Sequence, residues 1–332
     1  MMTLGQFPGQ KFIWGIAGTQ IEATVAQGDQ QVFYVNHAHA AANDRNYGLD
    51  PDEPLSHIQE LMDRSTGIST ITHPHLSAGD TIYVNGNVAE SVVTTAAVPN
   101  NITIVGVTES IDMPVWTAAA AAGTALDLWP SGWVIKGFRF TAGAAGTSVR
   151  LSINAATGVG ANRTSIVKNY FDGAWGGLYG IALVGAPYDL RIIGNEFREY
   201  RRGTGASFAL TTVDASFANA YMCVVENNLF WENENHIGSI GDDRGFNLSV
   251  FKRNIFHEGE LIAATRMLDL RGGTRGNNLV TLNTFCGDYS NAGGYYDNAG
   301  VGGAGNWVGN YAEDVAEAEV ADNGVTIAPP AA

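Results

Sequence analysis

Charged residues are scarce in this chain of 332 residues, in which they make up 15% of the sequence, with 18 basic against 33 acidic side chains. The formal net charge is −15, and no run of Lys and Arg interrupts it. A surface of this sign repels phosphate backbones and anionic membranes. The composition therefore argues against nucleic-acid and membrane partners and favours a neutral or weakly charged one.

Long apolar runs are also missing. No segment reaches the roughly 18 uninterrupted apolar residues of a membrane helix, and the N-terminus has no basic region followed by an apolar stretch. We therefore expect a protein made in the cytoplasm without a signal peptide. The two cysteines, Cys223 and Cys286, form no CxxC motif, which predicts buried free thiols in strands and neither a metal site nor a disulfide.

Glycine, in contrast, is abundant, with 41 residues, while hydrophobic residues make up 45% of the chain. Such a composition supplies a large core and many tight turns, and it is not that of a disordered chain. Because only 10 prolines accompany the glycines and no Gly-X-Y period exists, collagen is excluded. The length allows either two ordinary domains or one continuous repeat domain.

One short pattern recurs through the C-terminal half, an asparagine followed two residues later by phenylalanine. Each copy follows β-branched or apolar residues, as in SIVKNYF and VFKRNIF. Asn310 continues the series without a Phe, and Gly137 lies one period before the first copy, at Asn169. The spacing of 26 to 33 residues is typical of a solenoid. The five pairs are Asn169 and Phe171, Asn195 and Phe197, Asn228 and Phe230, Asn254 and Phe256, and Asn283 and Phe285.

Stacked coils explain both marks. In a parallel β-helix equivalent residues of successive coils form columns about 4.8 Å apart. An asparagine column can then form a hydrogen-bonded ladder at a turn, and the phenylalanine column packs inside. The sequence thus predicts an all-β fold, a right-handed parallel β-helix, whereas a two-sheet sandwich would not repeat one mark five times.

The remaining chain divides around these coils. Residues 1–30 read as an N-terminal arm for attachment, 31–312 as the β-helix and 313–332 as a C-terminal tail. Pro54 behind the candidate cap Asp52, with apolar residues at helical spacing, predicts a short capping helix over 54–64. SGWVIKGFRF predicts one strand around 133–140, and about nine coils fit between residues 80 and 312.

The head segment FYVNHAHAAANDRNYGLDPDEPLSHIQELMD, followed by AGDTIYVNGNVAES, NNITIVG and the Asn-any-Phe coils, resembles the pectate-lyase-like β-helix superfamily. In particular it resembles virion proteins of tailed bacteriophages, of the decoration or tailspike type. The resemblance implies the β-helix fold for residues 31–312. For function it leaves lyases, hydrolases, epimerases and inert fibres open.

If the chain were a lyase of this superfamily, it would need acidic calcium ligands and a basic residue. Asp269 and Arg271, in the charged segment RMLDLRGGTRGNN, are the main candidates. Because they are two residues apart, they would point to the same side of a strand and could simply form a surface ion pair. If it were a hydrolase, Glu232 and Asp242 could belong to a catalytic pair of carboxylates. The simpler interpretation is that both side chains lie in solvent-exposed turns. Calcium is thus a conceivable cofactor, and no metal ligand set is predicted.

Exposed aromatic rings would suit a glycan partner, and the candidates are Trp175, Trp231, Tyr295 and Tyr296. We expect them outside the regular strand pattern, most of them in Gly-rich turns. Packing between coils or against a subunit competes with that interpretation. The loop over 43–50 has several candidate oxygen ligands but lacks a complete calcium set, so we expect turns capped by side chains. The seven histidines are assigned to loops.

The leading functional prediction is a structural bacteriophage virion protein, located on the capsid or tail surface, non-enzymatic and homotrimeric. Phe12, Ile13 and Trp14 in the arm have no coil to pack into, so we expect them to be buried against another subunit or against other virion proteins. The alternative is a tailspike-like polysaccharide lyase or glycoside hydrolase that binds host-surface glycans.

Overall fold

The computed structural model describes residues 30–107, 112–154, 159–202, 207–213, 220–239, 245–257, 266–270, 277–286, 296–297 and 307–312. Almost all of the predicted arm and the whole predicted tail lie outside these residues. In the described part the chain forms one helix, α1 (Ile58–Thr66), and thirty strands. No helix in that part has the length and apolar character needed to cross a bilayer.

Three long sheets contain nearly all of the strands, and successive strands along the chain visit them in turn. Sheet 1 contains β1 (Val32–Val35), β2 (Thr81–Asn85), β5 (Thr103–Val107), β8 (Val134–Lys136), β12 (Ser165–Val167), β15 (Arg191–Ile193), β19 (Val224–Glu226), β23 (Val250–Lys252), β26 (Leu279–Thr281) and β29 (Trp307–Val308). Sheet 2 contains β3 (Val88–Ala89), β6 (Val115–Thr117), β9 (Arg139–Thr141), β13 (Tyr170–Asp172), β16 (Glu196–Arg198), β20 (Leu229–Trp231), β24 (Ile255–His257), β27 (Thr284–Cys286) and β30 (Tyr311–Ala312).

Sheet 3 closes each coil. It contains β4 (Val92–Val93), β7 (Thr124–Leu128), β10 (Thr147–Asn154), β14 (Tyr179–Val184), β17 (Phe208–Thr212), β21 (Asn235–Ser239), β25 (Arg266–Asp269) and β28 (Tyr296–Asp297). An antiparallel strand, β11 (Val159–Gly160), pairs with the C-terminal end of β10, and β18 (Ala220–Tyr221) pairs with β22 (Phe246–Asn247) outside the three sheets.

Every pairing within the three long sheets, apart from the β10 and β11 hairpin, is parallel, and each strand pairs with its equivalent one coil later. Phe171 thus pairs with Phe197, and Phe197 with Phe230. The parallel β-helix prediction is confirmed, and the sandwich alternative is wrong. Nine coils run from β2 to β30 as predicted, and β1 adds a tenth strand to sheet 1.

The phenylalanine column forms the centre of the core. Phe140, Phe171, Phe197, Phe230, Phe256 and Phe285 are all fully buried, and their rings stack with centroids 4.6 to 5.2 Å apart. This separation is within the range that stacked aromatic rings prefer, and such stacking stabilises the fold in addition to the burial of apolar area. The middle residue of each three-residue strand in sheet 2 therefore points inward.

The asparagines form a buried ladder at the turn between sheets 1 and 2. Asn195 Oδ1 accepts from the backbone N–H of Asn169 at 2.9 Å and from its side-chain amide at 3.2 Å, while Asn169 Nδ2 also donates to the carbonyl of Ile135 at 3.0 Å. The same set repeats through Asn228, Asn254, Asn283 and Asn310. The ladder thereby satisfies buried backbone groups that the tight turn would leave without partners.

A left-handed residue precedes each ladder position, as at Lys168 (φ 53°) and Arg253 (φ 54°). Gly137 (φ 81°) occupies this left-handed position, so it aligns with Lys168, and Phe138 donates its N–H to Asn169 Oδ1 in place of a ladder asparagine. The single strand predicted over 133–140 is consequently two strands, β8 and β9, because Gly137 turns the chain between them.

The capping helix is present but starts four residues later than predicted, at Ile58 with His57 as N-cap. Pro54 and Asp52 do not begin it, because Leu55 instead pairs with the edge of β1, accepting from Asn36 and donating to Tyr34. The free N–H groups of the helix start are bound by carboxylates distant in sequence. Asp44 accepts from Ser56 and His57, and Glu90 accepts from Ile58 at 2.7 Å.

The helix covers the open end of the core. Ile58, Leu61 and Met62 are buried, and the Gln59 amide exchanges hydrogen bonds with the backbone of Val93 in the edge strand β4. An uncovered edge would offer unpaired N–H and C=O groups to other chains. Burial raises the pKa of Glu90, whose carboxylate holds the helix against the first coil.

The cysteines are free thiols. Cys223 is buried directly before β19, and not within a strand as predicted, whereas Cys286 ends β27. Burial raises the pKa of the Cys223 thiol to about 12, so it remains protonated and unreactive at neutral pH.

Candidate functional site

The outward positions of sheet 2 hold most of the charged and aromatic side chains that could meet a ligand. In each strand the middle residue points into the core, so the first and third residues point outward. The first positions hold Arg139, Tyr170 and Glu196, and the third positions hold Asp172, Arg198, Trp231 and His257.

These outward side chains stack on one another along the sheet. The guanidinium of Arg198 lies 5.9 Å from the Tyr170 ring centre and 5.4 Å from that of Trp231. Trp231 stacks on His257 with centroids 3.9 Å apart. Both faces of Trp231 are thereby occupied by neighbours, so the ring rigidifies the surface and leaves only its edge for a ligand.

Two glutamates form an acidic column next to these stacked side chains. Glu199 and Glu232 each directly follow a strand of sheet 2, both have left-handed backbones (φ 60° and 51°), and they occupy the same place in successive coils. Burial, followed by the nearby charges of Asp172 and Glu232, raises the pKa of Glu199. Burial and the adjacent carboxylates therefore make Glu199 a weaker acid than a fully exposed glutamate.

Trp175 presents the most accessible ring in this region, with 49% of its surface exposed. It sits in a tight turn with left-handed Ala174 (φ 46°) and Trp175 (φ 61°). Asp172 fixes that turn, because one carboxylate oxygen accepts from the Ala174 N–H at 2.9 Å and the other from Arg139 at 2.7 Å. A Cβ on Gly173 would come within 2.4 Å of the Glu199 carbonyl, so only glycine fits there.

Arg201 supports this ring from below. Its guanidinium carbon lies 3.1 Å from the centre of the Trp175 ring, and its side chain is almost completely buried. Within the described residues its three guanidinium nitrogens have no hydrogen-bond partner, and its nearest carboxylate oxygen is Glu232 Oε2 at 4.0 Å. Burial lowers the pKa of Arg201, and Glu232 and Glu199 oppose that effect.

These four residues, Trp175, Arg201, Glu199 and Glu232, constitute what we call the Trp175 site. It offers a fixed aromatic face, a desolvated cation under it and two carboxylates beside it. Such a combination can stack against the apolar face of a sugar ring and accept hydrogen bonds from its hydroxyls. The site lies on an open surface at the turn between sheets 2 and 3.

The structure brings three of the sequence candidates together here, because Trp231 directly precedes Glu232, Trp175 lies two coils earlier, and Arg201 of the intervening coil lies near both Trp175 and Glu232. Trp231 ends β20, so its predicted position outside the regular strand pattern is wrong. Glu199, Arg201 and Arg198 were missed. Counting four residues on from each repeat asparagine would have found the acidic column, since that rule selects both Glu199 and Glu232.

The other candidates are not assembled by the described residues. Asp269 ends β25 and Tyr296 begins β28, in neighbouring coils of sheet 3, and their side chains lie outside the described part. Arg271, Asp242 and Tyr295 lie wholly outside it.

Two histidines correct the assignment to loops. His236 lies in β21 and is fully buried between Phe230 and Phe256, and His257 lies in β24. His236 Nδ1 is 3.1 Å from the Asn233 amide nitrogen, while its Nε2 has no partner among the described residues. Burial lowers the pKa of His236 to about 3.

The oxygen-rich loop over 43–50 uses its side chains to hold its own backbone. Asn43 Oδ1 accepts from Arg45, and Asp50 Oδ1 accepts from Asp52. Both Asp44 oxygens are engaged at the helix start, one of them 2.7 Å from His57 Nδ1. No three His, Cys, Asp or Glu side chains of the described residues gather as a metal site.

Comparison with known proteins finds a distant structural similarity. No protein-family profile and no curated protein matches the chain. A solved structure of a rhamnogalacturonan lyase is similar over 78% of this chain and 69% of that chain, with 10% identity and a TM-score of 0.43. The parallel β-helix is established by the strand register itself.

Proposed function

We propose that the protein is a rigid structural protein of a bacteriophage virion surface that binds a neutral host-surface glycan at the Trp175 site. The observation that carries the proposal is the Trp175 ring, half exposed and fixed against the Arg201 guanidinium. A ring exposed to this extent forgoes the apolar contacts that burial in the core would give it. Because the ring is already fixed in place, binding a ligand costs little additional conformational entropy.

The chemistry of the ligand follows from the charges. The net charge of −15 disfavours a polyanion, and the two carboxylates beside Trp175 disfavour one locally. Sugar hydroxyls are donors that Glu199 and Glu232 can accept from. A neutral polysaccharide therefore fits the site better than a uronate-rich one.

Replacing Trp175 with alanine should weaken glycan binding at least about tenfold, which corresponds to about 1.4 kcal/mol, because the stacking face is lost. Isothermal titration of the full chain with neutral surface polysaccharides measures the affinity. Tyr47→Ala is the matched control, since Tyr47 is also an exposed ring but lies far along the chain in the head. Equal affinities for the wild type and Trp175→Ala would refute the site.

The virion role is supported by the sequence resemblance and by the solenoid, which makes a long rigid body from one repeated contact. We expect the protein to be a homotrimer mounted through residues 1–30. Deleting these residues should abolish binding to virus particles stripped of the protein while leaving the β-rich circular dichroism unchanged. Binding that survives the deletion would contradict attachment through the arm.

One observation favours a second function, glycoside hydrolysis. Glu199, with its raised pKa, could donate a proton to the glycosidic oxygen, while Glu232 one coil away assists water or attacks the sugar. New reducing ends that appear with the wild type and vanish with Glu199→Gln would establish the hydrolase. Their absence with the wild type leaves the binding function as proposed.

A further inference from the structure

An apolar patch lies on the outward face of sheet 1 in the C-terminal coils. It consists of Met222, Val224, Leu248, Val250 and Leu279, and we call it the Met222 patch. Met222 and Leu248 are 52% and 53% exposed, and the other three residues are half-buried. Val224, Val250 and Leu279 pair in successive strands, so the patch climbs the rod one coil at a time.

The two coils directly before the patch carry charges at three of the four equivalent positions. Arg191 pairs with Val224 in the next coil. Asp189 occupies the turn position that Met222 occupies one coil later, because both donate their backbone N–H to a carbonyl of the following coil. The acceptor is Tyr221 for Asp189 and Asn247 for Met222. One coil earlier the corresponding residues are Arg163 and Ser165. The face thus changes abruptly from charged to apolar between one coil and the next.

The backbone makes this change costly for an isolated chain. Met222 and Leu248 both have a left-handed conformation (φ 52°), which costs an ordinary residue roughly 1 kcal/mol or more. Four other coils place Asn101, Gly132, Asp189 or Asn277 at this turn, which are residue types that tolerate it better, and one places Arg163 (φ 56°) there. A large apolar side chain here is unfavourable both for the backbone and for solvation, and burial against another chain would remove the cost of solvation.

We propose that the Met222 patch is the surface through which copies of this chain associate side by side. Equivalent side chains of the patch are separated by one strand spacing, about 4.8 Å. Another copy of the same solenoid presents side chains with that same spacing, so the two surfaces can match coil by coil. The opposite charges of Asp189 and Arg191 border the patch, and neighbouring copies can exchange them as ion pairs.

The size of the patch fits this role. It exposes on the order of a few hundred Å², less than the roughly 800 Å² per partner of a stable interface. It therefore forms the apolar centre of the contact, and the polar residues of sheet 1 around it form the rim. The proposal rests on the homotrimer within the proposed function and names the surface that would build it.

Light scattering of the full chain at micromolar concentration tests the proposal. The wild type should have three times the mass of 35.2 kDa, and the variant with Met222→Glu and Leu248→Glu should have the monomer mass. The control variant, Ile68→Glu with Val93→Glu, adds the same charge at two exposed apolar residues elsewhere and should keep the wild-type mass. Circular dichroism verifies that both variants fold.

The outcomes separate the patch from the rest of the proposed function. If the wild type associates and the Met222 and Leu248 variant associates equally, the patch is not the interface, while the homotrimer remains. A monomeric wild type overturns both the patch and the homotrimer. Glycan titration of the same samples reports the Trp175 site independently, because Trp175 lies at the turn between sheets 2 and 3 and the Met222 patch adjoins sheet 1.

Discussion

Replacing Phe230 with alanine should lower the free energy of unfolding by about 3–5 kcal/mol. The Phe230 ring is fully buried between Phe197 and Phe256, with centroids 4.9 and 5.1 Å away. Its removal leaves a gap in the middle of the column, and the coils on either side cannot close it, because the ladder of asparagines holds their spacing. Lost burial and lost stacking therefore add to the cost of the cavity.

Urea unfolding followed by circular dichroism and by tryptophan fluorescence measures this loss. Solenoids can unfold in segments, so the two signals should be compared before a single free energy is derived. Ile255→Ala in the neighbouring strand β24 is the control, because Ile255 points to solvent and its truncation should cost less than about 1 kcal/mol. A loss below that value for Phe230→Ala would mean that the ring is not buried.

Acidification should destabilise the fold through His236. Burial lowers its pKa to about 3, against about 6.5 in the unfolded chain, so below pH 6.5 the unfolded state binds a proton that the folded state refuses. The contribution of His236 to stability is complete above pH 6.5 and is lost as the pH falls towards 3. The loss amounts to about 1.4 kcal/mol per pH unit, or about 3 kcal/mol at pH 4.

Comparing the wild type with His236→Leu isolates this effect, because the carboxylates titrate in both proteins. The difference in unfolding free energy between them should shift by about 3 kcal/mol from pH 7 to pH 4. His39→Leu is the control, since His39 lies in an exposed loop of the head and its replacement removes no buried ring. If the wild type and His236→Leu share one pH profile, the ring is accessible to protons in the folded state.

The coils were predictable because their marks report on local stacking. An asparagine at a tight turn and a phenylalanine two residues later serve the same purpose in each coil, so they recur wherever a coil is added, and Asn169 to Asn310 reveal the period directly. The same logic extends to the acidic column, whose members Glu199 and Glu232 keep a fixed distance from the repeat.

Other features depend on groups that are distant in sequence. The helix start is fixed by Glu90, 32 residues beyond Ile58, and by the pairing of Leu55 with β1, so local propensity placed it too early. Burial of His236 depends on Phe230 and Phe256 from two coils, and a polar residue near a turn gives no local sign of it. Arg201 under Trp175 requires knowledge of how two irregular turns fold over each other.

The parallel pairing also determines how the molecule would respond to force. Hydrogen bonds between coils run along the length of the rod, and so do the bonds of the asparagine ladder. Tension applied along that direction loads one interface between coils at a time, so the rod should peel open coil by coil at modest force. Tension across the rod loads the covalent chain of each coil and many bonds in shear, and the same molecule should then resist far more strongly.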